Sequence, residues 1–151
     1  KSLKYADYWV TYSLLDTERN YRDYPYAATP SFASGHVINA VGKYFFAKLH
    51  ISAGIAYTFA SGRTYFNPNN PEFLSDKTKD YHNFSANVGY LTNIAGKFTI
   101  IFISVENVFG IKNVFGYRYS PDGSVRKPVV PSAPRNIFAG VFITFGSDEF
   151  R

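Results

Sequence analysis

Read alternately, the stretch LHISAGIAYTFA (residues 49–60) separates into two sets. Leu49, Ile51, Ala53, Ile55, Tyr57 and Phe59 form one, and His50, Ser52, Gly54, Ala56, Thr58 and Ala60 the other. A period of two predicts a β-strand, because successive side chains leave opposite faces. The pattern recurs. Tyr8, Val10, Tyr12 and Leu14 oppose Asp7, Trp9, Thr11 and Ser13, and Phe84, Ala86, Val88 and Tyr90 oppose Asn83, Ser85, Asn87 and Gly89. In RNIFAGVFITF, Ile137, Ala139, Val141, Ile143 and Phe145 share a face, and the other face, with Asn136, Phe138, Gly140, Phe142 and Thr144, is mixed. Residues 35–46 are noisier, setting Ile38, Ala40, Tyr44 and Phe46 against Val37, Asn39, Val41 and Lys43. KFTIIFISVEN is apolar on both faces, so alternation assigns it no orientation. No segment shows a helical period, and the chain reads as all-β with about six wall strands.

The connections alternate in length. Ala47-Lys48 and Thr92–Gly96 are tight, whereas 17–34, 61–80 and 108–134 are long and hold most of the prolines. Within the third long connection, Tyr117–Ser120 and Val125–Lys127 flank Pro121-Asp122-Gly123-Ser124, which predicts a small hairpin. Short turns at one end and long loops at the other describe an antiparallel up-and-down transmembrane β-barrel, with periplasmic turns and extracellular loops. A strand of this length, tilted, covers about 25 Å, the height of an outer-membrane apolar band. Ser52, Gly54, Ala56 and Thr58 make a poor exterior for a soluble sandwich, which shows Lys, Glu and Asp to water. The large face is therefore expected to meet lipid.

Composition sharpens this picture in two places. Aromatic residues make up 19% of the 151 residues, with 15 Phe and 13 Tyr, which suits both strands and the edges of a bilayer. The net charge of +5 is spread out, with no recognition helix or aromatic RNA-binding motif, so no nucleic-acid partner is expected. Cysteine is absent, excluding disulfides and thiolate metal sites. No apolar run reaches the length of a membrane-spanning helix, and the start at Lys1-Ser2-Leu3-Lys4 reads as that of a processed or excised segment.

Candidate chemistry is sparse. His36, His50 and His82 lack ligand spacing, so no metal or cofactor is expected. The doubled Ala-Ser-Gly at 33–35 and 60–62 reads as small residues at strand–loop junctions. The doubled NVFG, at 107–110 and 113–116, reads as two strand–turn junctions. Asp76 and Asp80 share a Lys-rich loop and read as solvated. An enzyme is not expected.

Three stretches resemble the C-terminal barrel portion of TonB-dependent outer-membrane receptors of the Bacteroidota type. They are YTFASGRTYFNPN (57–69), FLSDKTKDYHNFSANVGYLTNIAGKF (73–98) and SVENVFGIKNVFGYRYSPDG (104–123). The second has a Tyr-His-Asn-initiated strand and the third the element Glu106-Asn107-Val108-Phe109-Gly110. RNIFAGVFITF is similar to the terminal strand, ending on the aromatic Phe145, with Gly146–Arg151 following as a polar tail. The resemblance implies that residues 1–145 are the last part of a barrel of about 22 strands enclosing a plug domain. It further implies energised uptake of a ligand such as a ferric siderophore, cobalamin or glycan. The implied partners are outer-membrane lipid, the remaining barrel strands, the plug and, through the plug, the TonB complex. Loop residues Tyr21, Tyr24, Tyr26, Arg63, Tyr65, Tyr117, Arg118 and Tyr119 are candidates for ligand binding, offering flat amphipathic surfaces and cationic forks. The alternative is that these tyrosines form the aromatic girdle and the arginines meet lipopolysaccharide phosphates. Ser52, Asn83, Ser85 and Asn87 are candidates for facing the lumen and plug. Two rival readings stand beside this one, a self-contained small outer-membrane barrel and a soluble lipocalin-like binder.

Overall fold

The backbone of this sequence has few ways to satisfy its hydrogen bonds without helices, and it uses one of them throughout. The computed structural model describes residues 4–145, and among them no helix occurs. Twelve strands follow one another: β1 (Ala6–Leu14), β2 (Arg19–Asn20), β3 (Ala27–Ala28), β4 (His36–Phe46), β5 (Ile51–Ala60), β6 (Thr64–Tyr65), β7 (Asp76–Lys77), β8 (Tyr81–Ile94), β9 (Lys97–Glu106), β10 (Gly116–Tyr119), β11 (Arg126–Val129) and β12 (Asn136–Ile143). Six of them form one sheet in the order β1-β4-β5-β8-β9-β12, each antiparallel to the one before it in sequence. The sheet is open. Among the described residues the outer edges of β1 and β12 have no partner strand.

Register joins the apolar sets of neighbouring strands. Val10 stands opposite Ala40, Ala40 opposite Tyr57, and Tyr57 opposite Phe84. Lower in the sheet, Ala53 pairs with Val88, Val88 with Ile103 and Ile103 with Ala139. One apolar face thus runs unbroken across all six strands. It also orients β9, placing Ile101, Ile103 and Val105 on that face, and Ile100, Phe102 and Ser104 on the other. Aliphatic residues fill the middle of the face. Aromatic residues gather toward its two ends, with Tyr8, Tyr44, Phe46 and Tyr90 near the tight turns, and Tyr12, Tyr57, Phe59 and Phe84 near the loops. The described chain leaves most of it open: Tyr8 is 70% exposed, Ile55 53% and Ile137 67%, and the loop residue Phe109 meets it at Phe84, 5.2 Å between ring centroids.

The opposite face changes character along the sheet. From β1 to β8 most of it is small or polar, Trp9, Val37, Val41 and Phe45 being its larger apolar members, with Thr11, Asn39 and Thr58 in one cross-strand row. There Thr58 Oγ1 donates to Asn39 Oδ1 at 2.9 Å. On β9 and β12 it becomes aromatic, with Phe102 stacked on Phe142 (5.1 Å) and tilted against Phe138 (5.4 Å). Phe102 lies over Gly140, where an added Cβ would meet the ring at 2.7 Å. Asn87 lies likewise over Gly54, with a Cβ contact of 2.9 Å.

The turns differ slightly from the expected bounds. Leu49 and His50 belong to the turn that opens β5. Leu49 N donates to Phe46 O, and His50 has φ +52°, left-handed backbone that closes the turn in place of extending the strand. The turn expected at 92–96 is only Ala95-Gly96, with φ of +50° and +72°, so β8 extends to Ile94. Two positive φ values in a two-residue loop match the right-handed twist of the strands it joins. The hairpin expected in the third loop is present as β10–β11, and each of the other long loops contains a two-residue ribbon, β2–β3 or β6–β7. The buried apolar residues, Ala33, Ala60, Tyr65 and Leu74, all lie at this loop end of the sheet. Apart from Thr99, fully buried in β9, the buried side chains of the described residues therefore sit in the loop cap.

Candidate functional site

The cap is organised by the doubled Ala-Ser-Gly, whose two copies meet where β4 begins and β5 ends. His36 N donates to Ser61 Oγ at 3.0 Å, and Ser61 N to His36 O at 2.9 Å. The small side chains let the two crossings touch. At Gly62 a Cβ would lie 2.0 Å from Thr78 O, so only glycine permits this approach. Its amide donates to Asp80 Oδ1 at 2.8 Å. The next residue is Arg63, held from three sides. Its N–H donates to Thr78 Oγ1 (3.0 Å), its C=O accepts from Thr78 N (2.8 Å), and its Nε donates to Ser34 Oγ of the first Ala-Ser-Gly (3.2 Å).

Arg63 lines a cavity of about 520 Å³ between the loops and the polar face of the sheet. Ser13, Val37, Thr58 and Tyr81 contribute the wall side, and Phe32, Lys79 and Phe115 the loop side. Tyr81 stacks on Phe115 at 5.9 Å. The position of Tyr81 depends on the second NVFG motif. Asn113, 5% exposed, accepts from His82 N and donates to His82 O, pairing with that backbone as a neighbouring strand would. The first motif works similarly. Asn107, at φ +52°, donates through Nδ2 to the carbonyls of Ile111 and Pro134 and accepts from Ile111 N, closing the exit of β9. Its own amide donates to Asn83 Oδ1 at 3.0 Å.

The candidate loop residues do not form one site. Tyr21 and Tyr24 pack on Phe73 of the second loop, Tyr24 stacked at 3.6 Å and Tyr21 edge-on at 5.0 Å. Tyr26 projects beside them, 79% exposed. Tyr65 departs from the expectation of a presented side chain. Only 8% exposed, it packs against Tyr117 (4.7 Å) and fastens the β10–β11 hairpin to β6. Burial pushes its phenol up from its ordinary value, and the neighbouring Tyr119 and Asp76 add to the shift. Arg126, unremarked in the sequence, lies over the Tyr117 ring at 4.4 Å. A hydrogen bond to Tyr119 holds its guanidinium pKa up, and the bond to Tyr65 adds to this. Arg118 is separated from the two tyrosines beside it. It alternates to the hairpin's other face, opposite Lys127 and exposed to solvent. Arg63 thus stands apart from the tyrosines, against Ser34.

Ser52, Asn83, Ser85 and Asn87 share the polar face, as their register partners Gly89, Thr58, Ala56 and Gly54 show. Two histidines lie on the apolar face near the loops, each paired with a tyrosine hydroxyl: Tyr12 with His36 at 2.8 Å and Tyr57 with His82 at 2.9 Å. Among the described residues, no group of three His, Asp or Glu side chains is placed to hold a metal ion.

Sequence reasoning missed Ser34, Lys79, Tyr81 and Phe115 as neighbours of Arg63. The available signal was the doubled Ala-Ser-Gly, which marks where two chain crossings come close. The chain matches no family model, no curated protein and no solved structure.

Proposed function

We propose that the chain forms wall and extracellular cap of an outer-membrane β-barrel receptor of the TonB-dependent kind, and serves energised uptake of a ligand. One observation carries the reading: an apolar face six strands wide, with aromatics toward both ends and aliphatics between, lies largely uncovered, while the cavity-forming loops fold over the opposite face. Soluble monomers seldom expose apolar patches beyond a few hundred Å². Lipid covers such a face, and aromatic girdles mark the two edges of the bilayer. The charged side chains within the six strands are Asp7, Lys43, Lys97 and Glu106, too few for a water-facing surface. The bare edges of β1 and β12 favour a larger barrel over a self-contained one, because unpaired backbone is costly in a bilayer.

By its resemblance, such a receptor binds ligand at loops and plug, and TonB displaces the plug. This chain contributes wall and loops, and no catalytic step. The test is insertion. The chain should fold only with detergent or lipid vesicles, and Ile55→Arg, at the middle of the apolar face, should lower vesicle insertion by about 2–4 kcal/mol. A folded monomer in plain buffer, or unimpaired insertion of Ile55→Arg, removes the reading.

A further inference from the structure

We propose that the cavity beneath the loops binds an anion attached to a flat apolar body, with Arg63 and Lys79 meeting the charge and Tyr81 and Phe115 the ring. This deepens the receptor reading and rests on it for the cavity's access to ligand. Charge distribution is the first support. The lining holds two cations and no carboxylate. The adjoining cleft, across the Gly62 crossing, takes Asp16 and Asp80 together with Lys77. Asp80 is turned to that side by its bond from Gly62 N. The crossing therefore sorts carboxylates away from Arg63.

Preorganisation is the second. Ser34 and Thr78, both buried, hold Arg63 through its Nε and its backbone, which leaves the terminal nitrogens of the fork for a ligand. A guanidinium fixed in this way matches a carboxylate or phosphate in two parallel bonds with little rotamer entropy left to lose. The hydroxyls of Ser13 and Ser61 add neutral donors around the same space, whereas Thr58 spends its proton on Asn39. The Tyr81–Phe115 stack offers an apolar wall on one side, and Phe32, itself under the Arg19 guanidinium at 4.8 Å, an apolar surface among the loop residues. A volume of about 520 Å³ suits a small molecule and excludes a folded partner.

The experiment titrates the refolded 151-residue chain, in a nonionic detergent, with four probes of one shape: phenyl phosphate, benzoate, benzyl alcohol and benzylamine. Inorganic phosphate serves as the ring-free control, and saturation-transfer NMR is the readout. Phenyl phosphate and benzoate should bind, with benzyl alcohol about tenfold weaker and benzylamine weaker still. Arg63→Gln should weaken the two anions about tenfold and leave benzyl alcohol unchanged. Arg118→Gln, on the far face of the hairpin, should change nothing. If Arg63→Gln does not fold, Lys79→Gln, whose side chain is exposed, carries the same comparison. Equal binding of benzylamine and phenyl phosphate, or anion affinity indifferent to both substitutions, overturns the proposal. Inorganic phosphate binding as tightly as phenyl phosphate overturns its aromatic half. Insertion into vesicles without anion preference would sink this inference and leave the receptor reading standing. Anion preference in a chain that needs no detergent would do the reverse.

Discussion

At Gly62 a single hydrogen atom in place of a methyl group decides whether the two arms of the 61–80 loop can meet. The Cβ of an alanine would fall 2.0 Å from Thr78 O, a backbone atom with no freedom to retreat. Gly62→Ala should therefore force β6 and β7 from the wall and cost about 1–3 kcal/mol, read by denaturant unfolding in detergent. An unchanged midpoint would show that the crossing is looser than its geometry. Asp122 makes a second residue-scale case, in the tip of the β10–β11 hairpin. The hydroxyls of Ser120 and then Ser124 hold its carboxyl at about 2, below its ordinary 3.8. A depressed pKa means the charged form is the one the fold prefers. The order this contributes is complete above about pH 3.8 and is lost as pH falls through about 2. NMR titration of the Asp122 carboxyl carbon should show that low inflection, and one at the ordinary value would remove the idea.

At the scale of elements, alternation identified the faces of β1, β4, β5, β8 and β12 correctly, because period two is a property of each strand alone. It could not orient β9. Ile101 and Ile103 can be assigned to the apolar face only because β8 and β12 fix their register, an influence from outside the segment. The tight turn between β8 and β9 shows the converse, a local rule broken in the sequence yet kept in the fold. Ala95 sits at φ +50°, where Asn or Gly is preferred. Ala95→Asn should stabilise the hairpin by about 0.5–1 kcal/mol, measured as a rise in unfolding midpoint. A fall would mean that its side chain serves a contact beyond the turn.

On the scale of the whole molecule, the open sheet poses a thermodynamic question that the chain does not answer by itself. Among the described residues the buried apolar side chains are confined to the loop cap, so the wall gains little from burial in water. Lipid on one face and further strands at both edges would supply what is missing. Placing Arg at Ile55 acts at this scale, since its cross-strand neighbours Gly42 and Ala86 have no charge to compensate one in the bilayer that the proposed function requires.

The amino-acid sequence by itself determined the strand class, the two faces and the alternation of short turns with long loops. Each of these is set by the order of side chains within a dozen residues. Only the tertiary structure decided which loop residues meet. Arg63 and Ser34 are 29 residues apart, and Asn113 and His82 are 31, so no local period records either pair. It also buried Tyr65 and turned Arg118 away from its tyrosine neighbours, separating groups that adjacency had suggested belonged together. Loop side chains are placed by close packing and backbone bonds between distant crossings, and those contacts exist only once the wall has brought the loops to one end.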